Sequence, residues 1–253
     1  MTIKSIGLIA ALALVGAGCG TKEATGPLEP SGPTGRVRFV NLITDPARVP
    51  VNAILENLPF GVNLAYGATT PATLPSPSTA TYSAVLSGDR TLVLKRTADT
   101  SVTVATIGFT VPDNTDLTVY ATGGTGGAAV TNVITTDANP TATAGQVQLR
   151  IANMSPSGGA LDVFVTAAGA DLSTATPTAA NLAYQSASPY VILAPGTYQV
   201  RAVPAGTAAA ARSTSVVLTI NSVALTSGTG RTVVIADRAA GGTPLAGFVI
   251  ADR

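Results

Sequence analysis

Paired carboxylates are the one common catalytic device that this sequence leaves open. Histidine is absent, which excludes a Ser-His-Asp triad, a Cys-His pair and His-ligated zinc. A single cysteine excludes an internal disulfide and a thiolate metal cluster. Glycoside hydrolysis needs two carboxyl groups about 5–10 Å apart. Of the three glutamates, Glu23 and Glu29 fall in a Pro- and Gly-rich stretch, which leaves Glu56. Asp162, in Leu161-Asp-Val-Phe-Val165, has no second acid in its motif and reads as a solvated carboxylate on a strand face. A Ser-Lys dyad would have to use Lys95, whose place beside Arg96 suits a surface or edge-strand charge. Asp113-Asn-Thr-Asp116 offers turn oxygens to calcium, yet calcium takes 6–8 such ligands, and the same residues make a plain β-turn. Gly123-Gly-Thr-Gly-Gly127 is rich enough in glycine for a phosphate cradle but lacks the lysine and the following helix of a P-loop. Tyr66, Tyr184 and Tyr190, with Phe60, are the candidate ligand-face aromatics. Such rings stack on sugars, and they serve equally as corner or core residues with bonded hydroxyls. No catalytic residue, metal ligand or cofactor is expected, and the chain reads as a non-enzyme.

The N-terminus reads as an address. Lys4 precedes the apolar run Ile6-Gly-Leu-Ile-Ala-Ala-Leu-Ala-Leu-Val15, and the small residues Gly16-Ala17-Gly18 precede Cys19. One positive charge, a short apolar core and a small-residue cleavage site define a secretory signal. The run is shorter than the ~20 apolar residues needed to span a bilayer. Val15-Gly-Ala-Gly-Cys19 resembles the bacterial lipobox, with its usual aliphatic residue displaced one place to Val15. That resemblance implies diacylglycerol on Cys19. Two or three acyl chains, at ~0.8 kcal/mol per buried methylene, anchor a protein stably. Gly20, where an Asp would signal inner-membrane retention, favours the outer membrane.

Cleavage would remove one of 14 basic residues and none of 13 acidic ones, leaving the mature chain balanced. Neither sign forms a run. A basic stripe for nucleic acid is missing, as is a polybasic membrane patch. Residues 20–35 carry Pro27, Pro30 and Pro33 among glycines and few apolar side chains. This composition predicts a flexible tether of roughly 20–25 Å.

The remaining chain repeats itself at an offset of about 112–118 residues. Asn63-Leu-Ala-Tyr66 recurs as Asn181-Leu-Ala-Tyr184, and Arg38-Phe-Val-Asn-Leu42 parallels Arg150-Ile-Ala-Asn-Met154. Tyr82 aligns with Tyr198, and Asn132-Val-Ile134 with Gly247-Phe-Val-Ile250. Two copies of one module follow, joined near Asn139–Gly145. Gln146-Val-Gln-Leu-Arg-Ile-Ala152 alternates at period two, with Val147, Leu149 and Ile151 on one face. Thr197-Tyr-Gln-Val-Arg-Ala-Val203 and Asp116-Leu-Thr-Val-Tyr-Ala121 behave alike. Turn residues punctuate the runs, and seven or eight short strands per copy predict an antiparallel sandwich or barrel. The alanine-rich stretches 167–180 and 205–211 read as loops, the first with room for one helical turn.

Arg36-Val-Arg-Phe-Val-Asn41, Leu161-Asp-Val-Phe-Val165 and Ala194-Pro-Gly-Thr-Tyr-Gln-Val-Arg201 follow the order of the bacterial envelope modules known as domain of unknown function 4397. The chain resembles two tandem copies of that domain. The first copy departs at Val51-Asn-Ala-Ile54 and Pro77-Ser78, and the second opens on Gln146-Val-Gln rather than Arg-Val-Arg. The resemblance implies secreted or lipid-anchored β-rich modules and transfers no catalytic residue.

The expected protein is therefore all-β: a signal peptide (1–18), a lipidated Cys19 with its tether (19–35), and two tandem Ig-like antiparallel β-sandwich modules (36–138 and 146–253). Its expected partners are the membrane, through lipid on Cys19, and an envelope protein or glycan, with no nucleic acid. The expected place is the cell envelope, at the outer membrane. A carboxylate-dependent glycan hydrolase and a periplasmic assembly or sensor subunit are the competing classes.

Overall fold

A computed structural model describes residues 32–71 and 81–252. Cys19, the run expected to be a signal and the expected tether up to residue 31 lie outside the described residues, and Thr34 and Gly35, expected to end that tether, already belong to a strand. Among the described residues, eighteen strands form two modules of two sheets each. In the first module, β1 (Thr34–Ile43), β4 (Thr69–Thr70), β5 (Ser83–Leu86), β8 (Asp116–Gly123) and β9 (Val130–Asp137) make one sheet. Strands β2 (Val51–Leu55), β3 (Leu58–Leu64), β6 (Gly88–Arg96) and β7 (Asp99–Val111) make the other, in the order β3-β2-β6-β7. The second module repeats the plan. Strands β10 (Val147–Asn153), β13 (Ser186–Ala187), β14 (Val191–Leu193), β17 (Thr229–Ala236) and β18 (Ala246–Ala251) form one sheet. Strands β11 (Leu161–Thr166), β12 (Ala179–Leu182), β15 (Gly196–Pro204) and β16 (Leu218–Leu225) form the other.

The all-β, two-sandwich expectation holds, with one departure from a purely antiparallel arrangement. β1 runs parallel to β8, and β10 parallel to β17. Parallel neighbours need a long crossover. Here the chain supplies it by visiting the opposite sheet between the two strands.

Alternation explains each core. Val51, Ala53 and Leu55 of β2 point inward with Leu92 and Leu94 of β6 and Val37 and Phe39 of β1. Val147, Leu149 and Ile151 do the same in the second module, against Leu161, Val163, Val200 and Val233. Each fully buried side chain of this size contributes about 1.5–3 kcal/mol. The opposite faces of β1 and β10 are buried as well. Val40, Leu42 and Tyr120 of the first module meet Ala152, Met154, Val234 and Ala236 of the second in a third apolar cluster. The sheets holding β1 and β10 thus lie back to back, and the other two face outward.

The outward sheet of the second module carries a small cap. Phe164, Leu172 and Val203 are buried beneath it. A 3-10 helix, Ala209–Thr214, places Arg212 5.2 Å over the Phe164 ring, and Arg212 Nη1 donates to the Leu172 and Ala175 carbonyls at 3.1 and 2.9 Å. The helical turn expected in 167–180 therefore falls in the second alanine-rich stretch, where Arg212 can tie it down.

Candidate functional site

The seam between the modules gathers the charged side chains that the strands carry inward. Arg38 sits in β1 between Val37 and Phe39, which point to the first core, so period two turns it into the seam. Arg150 does the same in β10. Both are almost fully buried, as are Asp137 and Asp252.

Their contacts are made twice with the modules exchanged. Arg38 Nε donates to Thr118 Oγ1 at 3.1 Å, and Arg150 Nε to Thr232 Oγ1 at 3.2 Å. Thr118 Oγ1 donates to Asp137 Oδ2, and Thr232 Oγ1 to Asp252 Oδ2 at 2.7 Å. Tyr82 donates its hydroxyl to Asp137 Oδ2 at 2.8 Å. The Tyr190 hydroxyl lies 3.1 Å from Asp252 Oδ2 and 2.8 Å from Asn139 Oδ1. Each guanidinium also lies over the tyrosine of its own module, 4.5 Å from Tyr82 and 5.1 Å from Tyr190. The ion pairs then cross the seam. Arg38 Nη2 reaches Asp252 Oδ1 at 2.9 Å, and Arg150 Nη1 reaches Asp137 Oδ1 at 2.6 Å. Arg38 Nη2 also lies 3.5 Å from Asp137 Oδ2 of its own module.

This arrangement sets the electrostatics. Burial alone would lower the pKa of both arginines. For Arg38 the oxygens of Tyr82 and Asp252 outweigh it, and for Arg150 the Asp137 carboxylate does, so both are held above the ordinary arginine value. Burial, with the neighbouring carboxylates, raises Tyr82 and Tyr190. Tyr120, wholly buried, is pushed up to about 12. Its hydroxyl and Arg150 Nη2 have no partner among the described residues.

Further bonds cross the seam. Tyr66 donates its hydroxyl to the Asp237 carbonyl, and its ring meets Phe248 edge-on at 5.5 Å between centroids. Thr122 Oγ1 donates to Met154 O at 2.7 Å, and Ala240 N to Thr44 O at 2.9 Å. Arg38 Nη1 donates to Ala251 O at 2.6 Å.

The three candidate aromatics thus occupy different settings. Tyr66 and Tyr190 are drawn into the seam. Tyr184 keeps a buried hydroxyl without a partner among the described residues, and Phe60 packs on the first core. The internal alignment also changes: Tyr82 corresponds to Tyr190, each ahead of a strand that pairs with β1 or β10. Tyr198 lies within β15, its hydroxyl bonded to Ala194 O at 2.8 Å. The spacing misleads because the offset of 118 between Leu64 and Leu182 does not persist: the second copy is ten residues shorter between Leu182 and Tyr190 than the first between Leu64 and Tyr82.

The acids weighed for chemistry are held by the fold. Asp162 is buried rather than solvated, and accepts from the Asn181 and Gly206 amides at 2.8 and 3.2 Å. Asn181 lies in the neighbouring strand β12, and Gly206 in the loop that follows β15. Glu56 accepts from the Thr91 amide at 2.6 Å. In the Asp113–Asp116 turn, Asp116 forms a two-pronged pair with Arg36 at 2.6 Å. The glycine loop is closed by Arg48, which donates to Gly127 O and Ala128 O, while Asp45 accepts from Gly127 N. Lys95 lies in β6, an inner strand between β2 and β7 rather than an edge, in register with Asn52 of β2. Among the described residues no cluster of three or more acids or cysteines could hold a metal ion.

Sequence reasoning missed the Arg-Thr-Asp set, although its signal was present. Arg38 and Arg150, Thr118 and Thr232, and Asp137 and Asp252 recur at nearly the same offset. A charge repeated on an apolar strand marks a buried partner.

Comparison with known proteins adds the following. No curated protein matches the chain. A leucine-rich repeat protein of solved structure from Bacteroides thetaiotaomicron is 13% identical, over 79% of this chain and 26% of that one, with a TM-score of 0.19. The chain spans about a quarter of that protein's length, and so slight a likeness carries no argument. The profile of the family described as "Domain of unknown function (DUF4397)" matches twice, over residues 35–164 and 166–253. The first match runs on into β11, past the point where strand pairing divides the modules. Two matches that together span nearly all of the two modules place the chain in the domain of unknown function 4397 family.

Proposed function

We propose that this is a bacterial cell-envelope lipoprotein, anchored at the outer membrane through diacylglycerol on Cys19. Its paired modules act without catalysis, as a structural or interaction unit that binds protein or glycan. The observation that carries the reading is the chain's one cysteine, set directly after a short apolar run and three small residues. Support comes from how the charges are used: the buried arginines and carboxylates of the seam bond one another, and buried Asp162 and exposed Glu56 serve backbone amides.

The test is metabolic labelling with radioactive palmitate in a bacterial host, beside Cys19→Ser. Label in the parent chain, with none in the variant and release of the variant from membranes, is the expected result. An unlabelled parent would refute the anchor. Protease shaving of intact and lysed cells, with a cleavable site in residues 20–35, then assigns the side. Cleavage on intact cells directs the search to external ligands, and cleavage only after lysis to periplasmic partners.

A further inference from the structure

We infer that the seam is a pairing surface that works without the covalent link, so that module 1 of one chain is a fit partner for module 2 of a second copy. Three features carry this. Each module has an apolar core of its own. The surface between them has the build of an oligomer interface: an apolar centre of Val40, Leu42, Tyr120, Met154, Val234 and Ala236 beside buried, hydrogen-bonded charge. The charges are exchanged reciprocally, as in a two-fold dimer where each side offers the same groups to the other.

The pairing is also heterotypic. Tyr120 of β8 and Val234 of β17 occupy equivalent places in the two modules and share the seam cluster. Two first modules would bring two tyrosines to the seam, and two second modules two valines. Only the mixed pair has the volumes found here. Phe248 of module 2 likewise meets Tyr66 and Gly67 of module 1, and module 1 carries Val133 at the corresponding place.

The test inserts a protease site between Pro140 and Gly145 of the full chain and cuts the folded protein. The halves should co-elute on gel filtration at micromolar concentration, and cross-linking should join module 1 to module 2. Arg38→Met should leave the uncut chain folded and weaken pairing of the cut halves by at least ~30-fold, because truncation strands Asp252. Should Arg38→Met unfold the uncut chain, Asp252→Asn gives the same comparison with a smaller change of shape. Cut wild-type halves that separate would overturn the inference. So would like-with-like cross-links, or variant halves that pair as tightly as wild type.

Discussion

Arg38 finds its carboxylate 214 residues along the chain, and Arg150 finds its own 13 residues back. Neither distance can be read from one copy alone, which is why the repeated arginines were legible and their partners were not. A buried pair of this kind gains little against an apolar substitute, but breaking it leaves a stranded charge. Arg38→Met should lower stability by about 3–5 kcal/mol in urea unfolding. Adding Asp252→Leu should recover part of that loss. Tyr120→Phe should behave oppositely, because its hydroxyl is buried without a partner among the described residues. Stability should stay level or rise by up to about 1–3 kcal/mol, and a clear loss would show that the hydroxyl bonds something that matters.

Strands were the most legible elements, since period two places Val147, Leu149 and Ile151 on one core face as expected. Alternation says that a second face exists and leaves open what covers it. In β10 the second face carries Gln148 and Arg150, which would suit water, yet both are buried and Arg150 meets Asp137 of the neighbouring module. The parallel β1–β8 and β10–β17 pairs were illegible for a related reason: direction depends on the route between strands rather than on their residues. Two elements offer tests. Gly67, at a φ of 81°, lies so close to Phe248 that an added Cβ would stand 2.4 Å from the ring. Gly67→Ala should destabilise the seam through both strain and overlap, by about 1–3 kcal/mol, seen as faster hydrogen exchange at 246–251. Arg212→Ala should free the cap over Phe164. Exchange at residues 171–176 should quicken, with a stability loss near ~1 kcal/mol.

At the scale of the molecule, the shared third cluster couples the modules, and a single calorimetric transition is expected for both. Alkali probes the same coupling. Burial raises Tyr66, Tyr82, Tyr120 and Tyr190 above the ordinary value of 10.0, with Tyr120 pushed up to about 12. In the unfolded chain these groups ionise near pH 10. Between that point and the folded value the unfolded state binds fewer protons, so stability falls as pH rises. It is fully present below about pH 10. Urea midpoints should hold steady from pH 7 to 9 and drop between 10 and 12, and tyrosinate absorbance should lag in the folded protein. A midpoint unchanged through pH 11.5 would remove the tyrosines from the account.

The bond from Arg38 to Asp252 also imposes an order in time. A ribosome has made β1 long before it reaches residue 252. For that interval Arg38 waits beside Val40, Leu42 and Tyr120 on a face meant to be dry. Domains generally fold in the order in which they are made, yet here the first half can finish its own core and still lack its cover. A nascent chain halted after residue 138 should therefore expose apolar surface and engage holding chaperones. Release should follow once β17 and β18 have been added.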